Sequence, residues 1–194
     1  EIGSGLVGSE MCIRDSPYGF GVSPTGGLMP DLTEPKALVT LLHEELRLPM
    51  LDFTIGNPYV NPHVNRPYDG GPYVPDEHPL EGVARMLGCI GQLKKAFPSL
   101  CVIGSGFSYL RQFSPYLAAG AVEQSVCDLA GFGRMAFAYP DFPRDTLYGE
   151  GFNARKTCIA CGKCSALMRA GTVAGCVVRD GETYLPFYQA HCCV

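Results

Sequence analysis

The chain has 194 residues, a formal net charge of −4 and an apolar fraction of 46 %. That apolar fraction is ordinary for a globular domain, and the mild acidity carries no nucleic-acid or polybasic membrane footprint. No run of eighteen apolar residues occurs, so no transmembrane helix and no membrane partner are expected. Ten cysteines could suggest a disulfide scaffold, but four sit at ligand spacing and Cys12 lies in an atypical N-terminal stretch. The others, Cys89, Cys101, Cys127, Cys192 and Cys193, are scattered. That usage fits a reducing cytosol better than secretion, so a cytoplasmic location is expected.

The first residues, Glu1–Ser16, read EIGSGLVGSEMCIRDS. They resemble a translated sequencing-library adapter: Met11–Asp15 back-translates as ATG TGT ATA AGA GAC, the end sequence of a library transposon. A signal peptide would need a basic start and an apolar run, and neither is present. Residues 1–16 are therefore expected to be an unpacked artefact. The gene's own sequence is expected to begin near Pro17, with its true N-terminus missing.

Tyr18–Ser23 reads as a short buried strand ended by Pro24-Thr-Gly-Gly27. Thr33 is the expected N-cap of a helix with Pro35 in its first turn, and Leu38, Leu41, Leu42 and Leu46 mark its apolar face. Pro49 stops it. Met50–Ile55 is the second strand. The loop from Gly56 to Pro79 is long enough to be functional or disordered. Its Tyr59, Asn61, His63, Asn65, Arg66 and Tyr68 suggest a ligand-facing lid, and a surface excursion held by prolines is the alternative. Val83, Met86, Leu87, Ile90, Leu93 and Phe97 outline an amphipathic helix closed by Pro98. Leu100–Ile103 is the third strand. Pro115 splits the next helical stretch into a turn at Tyr109–Phe113 and a helix from Pro115. Val126–Phe132 is the fourth strand, and Met135–Leu147 is helical with proline breaks. Strand and helix alternate without hairpin signals, which argues for parallel strands with crossover helices. Four such units suit half of an eight-fold barrel of about 250 residues or an open doubly wound sheet.

Cys158, Cys161 and Cys164 form a C-x2-C-x2-C run, and Cys176 follows after eleven intervening residues. One tight loop with three thiolates and a remote fourth suits a [4Fe–4S] cluster. Structural zinc usually takes two separated C-x2-C knuckles, and here one overlapping run stands alone. Zinc and unligated thiols are the alternatives.

Upstream stand Cys101-Val-Ile-Gly-Ser-Gly106 and Leu129-Ala-Gly-Phe-Gly-Arg134, the latter running into Tyr139-Pro-Asp141. Glycine lets backbone N–H groups approach an anion closely, and arginine adds charge-assisted contacts. A lone Gly-Ser-Gly reads more readily as a tight turn. The order strand-GSG, strand-GFGR, YPD, then CxxCxxC…C resembles the C-terminal half of an old-yellow-enzyme-like flavin oxidoreductase. The similarity is to its iron–sulfur branch of dienoyl-CoA reductases, enoate reductases and trimethylamine dehydrogenase, over roughly Pro17 to Val178.

The resemblance implies strands five to eight of a TIM (β/α)8 barrel over residues 17–157, followed by an iron–sulfur segment and tail over 158–194. It implies FMN-phosphate contacts at Gly104, Ser105, Gly106, Gly133 and Arg134, and cluster ligands at Cys158, Cys161, Cys164 and Cys176. The expected function is an FMN- and [4Fe–4S]-dependent oxidoreductase that reduces activated C=C bonds of a small-molecule substrate. NAD(P)H or another donor would supply the electrons, and the fragment itself is expected to be inactive. A non-enzymatic zinc-binding cysteine module on an α/β support is the alternative.

There are departures from the family. Gly21 stands where the family has a strand-five arginine facing the flavin, and the family's substrate-orienting pair and tyrosine proton donor belong to a half this chain lacks. His63 is the local candidate for touching substrate, and His43, on a Glu-rich helix, reads as solvated. The chain runs eighteen residues past Cys176 and shows none of the nucleotide-binding machinery of the long members.

Overall fold

The alternation in Met50-Leu51-Asp52-Phe53 buries Leu51 and Phe53 and leaves Met50 and Asp52 exposed, which is the period of a half-buried strand, β1 (Met50–Phe53). In the computed structural model, which describes residues 20–21, 23, 30–56, 62–70, 73–149 and 151–193, this strand opens a three-stranded parallel sheet. β2 (Cys101–Gly104) pairs with it from Met50↔Cys101 to Phe53↔Gly104, and β3 (Leu129–Ala130) pairs with β2 at Ile103↔Leu129 and Gly104↔Ala130. The sheet order is β1-β2-β3, so the fold is mixed α/β with consecutive strands as neighbours.

β3 is much shorter than the expected Val126–Phe132, and Asp128 is the reason. Its N–H donates to the Val102 carbonyl at 2.8 Å, while its own carboxylate accepts the Val102 N–H at 2.7 Å. A side chain thus takes the place of a backbone acceptor in the ladder. Val126 is spent earlier, donating to Ala121 at the end of a helix. The expected strand Tyr18–Ser23 lies mostly outside the described residues. Its Phe20 and Gly21 form a turn, in which the Gly21 carbonyl accepts from Asp31 at 3.0 Å.

Helix α1 (Thr33–Val39) starts one residue earlier than expected, with Leu32 at the N-cap and the Thr33 N–H bonded to Asp31 Oδ1 at 2.8 Å. It runs on into a π-helical turn, Thr40–Glu45, where the Leu46 N–H reaches back to Leu41. That wider winding breaks the 3.6-residue register. Leu41 and Leu46, expected on a buried face, are consequently exposed; Leu38, ahead of the turn, is exposed as well, and Val39 is buried in their stead. His43 is not simply solvated either: Nδ1 lies 2.9 Å from the Leu48 carbonyl and Nε2 2.9 Å from Ser99 Oγ.

The long loop contains a four-residue helix, α2 (Pro62–Asn65), whose Pro62, His63 and Val64 are buried. Asn65 Nδ2 donates to Thr54 Oγ1 at 2.8 Å and to the Ile55 carbonyl at 3.2 Å, which pins this turn to the end of β1. Tyr59 and Asn61 lie outside the described residues. The crossover to β2 is α3 (Pro79–Ala96), with Pro79 in its first turn and the His78 ring accepting from the Leu80 N–H. Val83, Met86, Ile90 and Leu93 make its buried stripe as their spacing predicts, with Cys89 alongside and Phe97 closing it. A 3-10 stretch, Phe107–Phe113, then α4 (Ser114–Glu123) lead to β3.

The described residues fall into two compact units. The first holds those up to Pro67 together with Pro75–Phe107 and Tyr116–Gly131, which is the sheet and its helices. The second holds those of Tyr68–Val74, Ser108–Pro115 and Phe132 onward. In the second, α5 (Arg134–Ala138) and α6 (Phe142–Tyr148) are separated at Tyr139-Pro140-Asp141, as the proline requires. A 3-10 turn, Ala154–Lys156, and helices α7 (Lys163–Arg169) and α8 (Gly181–Cys192) follow. Its apolar core joins Met135, Ala138, Tyr139 and Cys158, with Phe132, Phe142, Phe152 and Cys176 packed against them. Among the described residues no helix is long and apolar enough to cross a membrane.

Candidate metal centre

The three-cysteine run sits on a loop held at both ends. Before it, Asn153 Oδ1 accepts from the Arg155 N–H at 3.0 Å and Thr157 Oγ1 donates to the Ala154 carbonyl at 3.0 Å. After it, Gly162 is the N-cap of α7, which carries Cys164 in its first turn. Between the cysteines the backbone turns left-handed twice, at Ala160 (φ +57) and Gly162 (φ +74). An L-residue rarely holds that conformation, and Ala160 is fully buried while doing so. A Cβ on Gly162 would also meet the Gly70 carbonyl at 3.4 Å, so Gly70 lies against this loop within the same unit.

Cys176 returns to the loop through a short turn. The Arg179 N–H points at Cys176 Sγ at 3.4 Å, and the Asp180 N–H donates to the Cys176 carbonyl at 2.9 Å. Asp180 then caps α8 through the Thr183 N–H. Cys158, Cys161, Cys164 and Cys176 line one small pocket that opens to solvent, together with Arg134 and Lys163. Cys192 and Cys193 are not among its walls.

The electrostatics of the pocket follow from burial. Burial pushes the Cys158 and Cys164 thiols up, and Arg134 opposes the shift in both. For the Arg134 guanidinium, burial works against the charge, and the sulfurs of Cys158, Cys164 and Cys161 offset part of that effect. Cys158 Sγ also accepts the Ala160 N–H at 3.4 Å. Amide N–H groups aimed at sulfur and a cation beside several thiols both favour deprotonated sulfur, the form that binds metal. Among the described residues, however, no group of three or more His, Cys, Asp or Glu side chains stands close enough to hold a metal ion.

The glycine-rich positions divide between the units. Gly104, Ser105 and Gly106 belong to the first and Gly133 and Arg134 to the second. Both glycines of the Gly-Ser-Gly turn have packing reasons to be glycine. A Cβ at Gly104 would meet Cys127 Sγ at 2.9 Å, and one at Gly106 (φ +104) would meet Met86 Sδ at 2.8 Å. Ser105 donates its hydroxyl to Asp52 Oδ1 at 2.9 Å. Gly133 is the N-cap of α5 and Arg134 its first residue. His63 is buried in the first unit, with Nε2 3.6 Å from Glu77 Oε1, and Glu77 is gripped by Arg85 through bonds of 2.7 and 2.6 Å. That placement makes His63 part of a packed ionic group.

Sequence reasoning missed Asp52, Arg179 and the Thr157 carbonyl. Asp52 had a signal, since it is the lone acid in an otherwise apolar strand. Arg179 had none, being a single basic residue outside any periodic face. Comparison with family models, with curated proteins and with solved structures gives no match for this chain.

Proposed function

We propose that the chain carries the [4Fe–4S] site and part of the flavin site of an FMN-dependent oxidoreductase acting on activated C=C bonds. The observation that carries this reading is the lining of one pocket by Cys158, Cys161, Cys164 and Cys176 beside a half-buried Arg134. Their all-sulfur donor set fits an iron–sulfur cluster. The two N–H···S contacts, from Ala160 and Arg179, are the kind of outer-shell contact that tunes such a cluster. Arg134 would balance the negative charge of a cluster held by four thiolates.

For the flavin the support is the family resemblance together with the parallel sheet. The order β1-β2-β3 is what consecutive strands of a (β/α)8 barrel show, so the sheet suits a barrel sector. Gly104–Gly106 follows β2 at the strand's C-terminal end, where such barrels bind ligands. Asp52 tells against it, because its carboxylate occupies the Ser105 hydroxyl that would face a phosphate. When bound, FMN supplies hydride transfer and the cluster supplies single-electron transfer. The chain's own contribution is to bind, orient and electrostatically balance those groups.

The test is metal uptake. The 194-residue chain is incubated anaerobically with ferrous iron and sulfide, and in parallel with zinc, then desalted and assayed for metal. Retained iron and acid-labile sulfide, with a broad visible absorbance that bleaches on reduction, are expected. Zinc retained without iron uptake would replace this reading with that of a zinc-binding module.

A further inference from the structure

We propose that Arg179 is the positioning residue for the fourth corner of the metal site: its guanidinium clasps the loop bearing Cys176 to the loop bearing the other three cysteines. This inference rests on the iron–sulfur reading above. Arg179 Nε and Nη2 both donate to the Thr157 carbonyl, at 3.1 and 2.9 Å. Thr157 is buried and immediately precedes Cys158. The Arg179 backbone N–H meanwhile reaches Cys176 Sγ at 3.4 Å. One residue therefore touches the fourth sulfur with its backbone and the start of the three-cysteine loop with its side chain.

The rest of the turn is built around that link. Asp180 bonds back to the Cys176 carbonyl and forward to α8. Tyr184 of α8 fills the space over Gly175, where a Cβ would lie 2.1 Å from the ring. Helix α8 and the turn thus form one piece, and Arg179 is the forked donor that fastens it to Thr157. A planar guanidinium can place two N–H groups on the two lone pairs of one carbonyl, which an ammonium does less well.

The need for a clasp follows from the spacing. Cys158, Cys161 and Cys164 are held together by their own loop, whereas Cys176 comes from a separate turn after eleven intervening residues. Loosening that turn leaves three sulfurs in place and frees one. A cubane held at three corners gives up the iron at the fourth.

The experiment reads iron loss corner by corner. Wild type, R179A, R179K and C176A are reconstituted with ferrous iron and sulfide and exposed to mild oxidant. Iron release and the electron paramagnetic resonance signal of a three-iron cluster are followed in time. R179A should lose its first iron roughly tenfold faster than wild type, the scale of a lost charged hydrogen bond, and should stop at the three-iron signal. R179K should fall between the two, and C176A should show the three-iron signal from the start. Release at the wild-type rate in R179A overturns the clasp while leaving the iron–sulfur reading intact. Loss of all four irons together, without the three-iron signal, also overturns it. Should R179A fail to fold, R179K decides, and wild-type behaviour there overturns the clasp. A wild type that takes up no iron overturns the iron–sulfur reading and the clasp with it.

Discussion

Ser105 gives its hydroxyl proton to Asp52, from the residue just after β2 to the neighbouring strand β1. Burial raises the Asp52 carboxyl above its usual range and the Ser105 bond draws it back down. A dianionic phosphate at Gly104–Gly106 would therefore meet a carboxylate and lose a hydroxyl donor. Asp52→Asn removes the like charge, so FMN or inorganic phosphate should bind this turn more tightly, by up to about tenfold. That is the scale of one screened charge pair near a surface. Titration calorimetry showing unchanged or weaker binding in D52N would take the phosphate away from this turn.

Asp128 makes an acid-sensitive link in the sheet. The Val102 N–H donates to its carboxylate at 2.7 Å and Lys94 Nζ stands 2.9 Å away. Those contacts, the Val102 bond first, hold its carboxyl below the ordinary value of 3.8. A depressed folded-state pKa stabilises the fold above the unfolded-state value, and that stability is lost as the pH falls through the folded-state value. Asp128→Ala should cost about 1–3 kcal/mol at pH 7, because the buried Val102 N–H loses its acceptor. Urea titrations at pH 7 and pH 3 should show the difference between wild type and D128A narrowing at pH 3. A constant difference would contradict the assignment.

Arg85, Glu77 and His63 form a buried group around one ion pair. Arg85 grips both Glu77 oxygens, and the Arg85 and Glu77 side chains are 11 % and 4 % exposed. Removing one partner strands the other charge, so Arg85→Ala should destabilise the chain by about 3–5 kcal/mol. The double variant R85M/E77M, which removes both charges, should recover most of that loss. If thermal melts show R85A at the wild-type midpoint, the ion pair contributes nothing.

Arg134 lies beside the thiols, and the family resemblance also implies a contact from it to a flavin phosphate. Arg134→Ala should weaken FMN binding by about 1.5–3 kcal/mol, the range for a charged hydrogen bond. Fluorescence titration giving an unchanged FMN affinity would remove Arg134 from the flavin site and leave it with the cysteines alone.

Elements whose residues follow a simple period were legible in the sequence. Leu51 and Phe53 alternate inward in β1, and Val83, Met86, Ile90 and Leu93 repeat along α3. Proline breaks at Pro98, Pro115 and Pro140 fell where a missing N–H and a fixed φ put them. Periodicity failed where a side chain or an unusual turn replaced the regular ladder. Asp128 supplies the carboxylate that shortens β3, and the π-helical turn at Thr40–Glu45 rotates Leu41 and Leu46 to the surface. At the candidate metal centre the cysteine spacing indicated which cysteines line one pocket, three of them on a single loop. Its supports, Arg179 and the left-handed Ala160, were not legible, since a guanidinium reaching a carbonyl twenty-two residues away leaves no local pattern.

The claim that these four cysteines, and not the tail pair, hold the cluster is tested most directly by iron stoichiometry across a cysteine series. Cys158→Ala, Cys161→Ala, Cys164→Ala and Cys176→Ala are each reconstituted beside Cys192→Ala, Cys193→Ala and wild type. Retained iron and acid-labile sulfide are then measured per chain. The account predicts about four irons in wild type and in both tail variants, and a deficit in each of the four pocket variants. Full iron retention in C176A together with loss in C192A or C193A would contradict it.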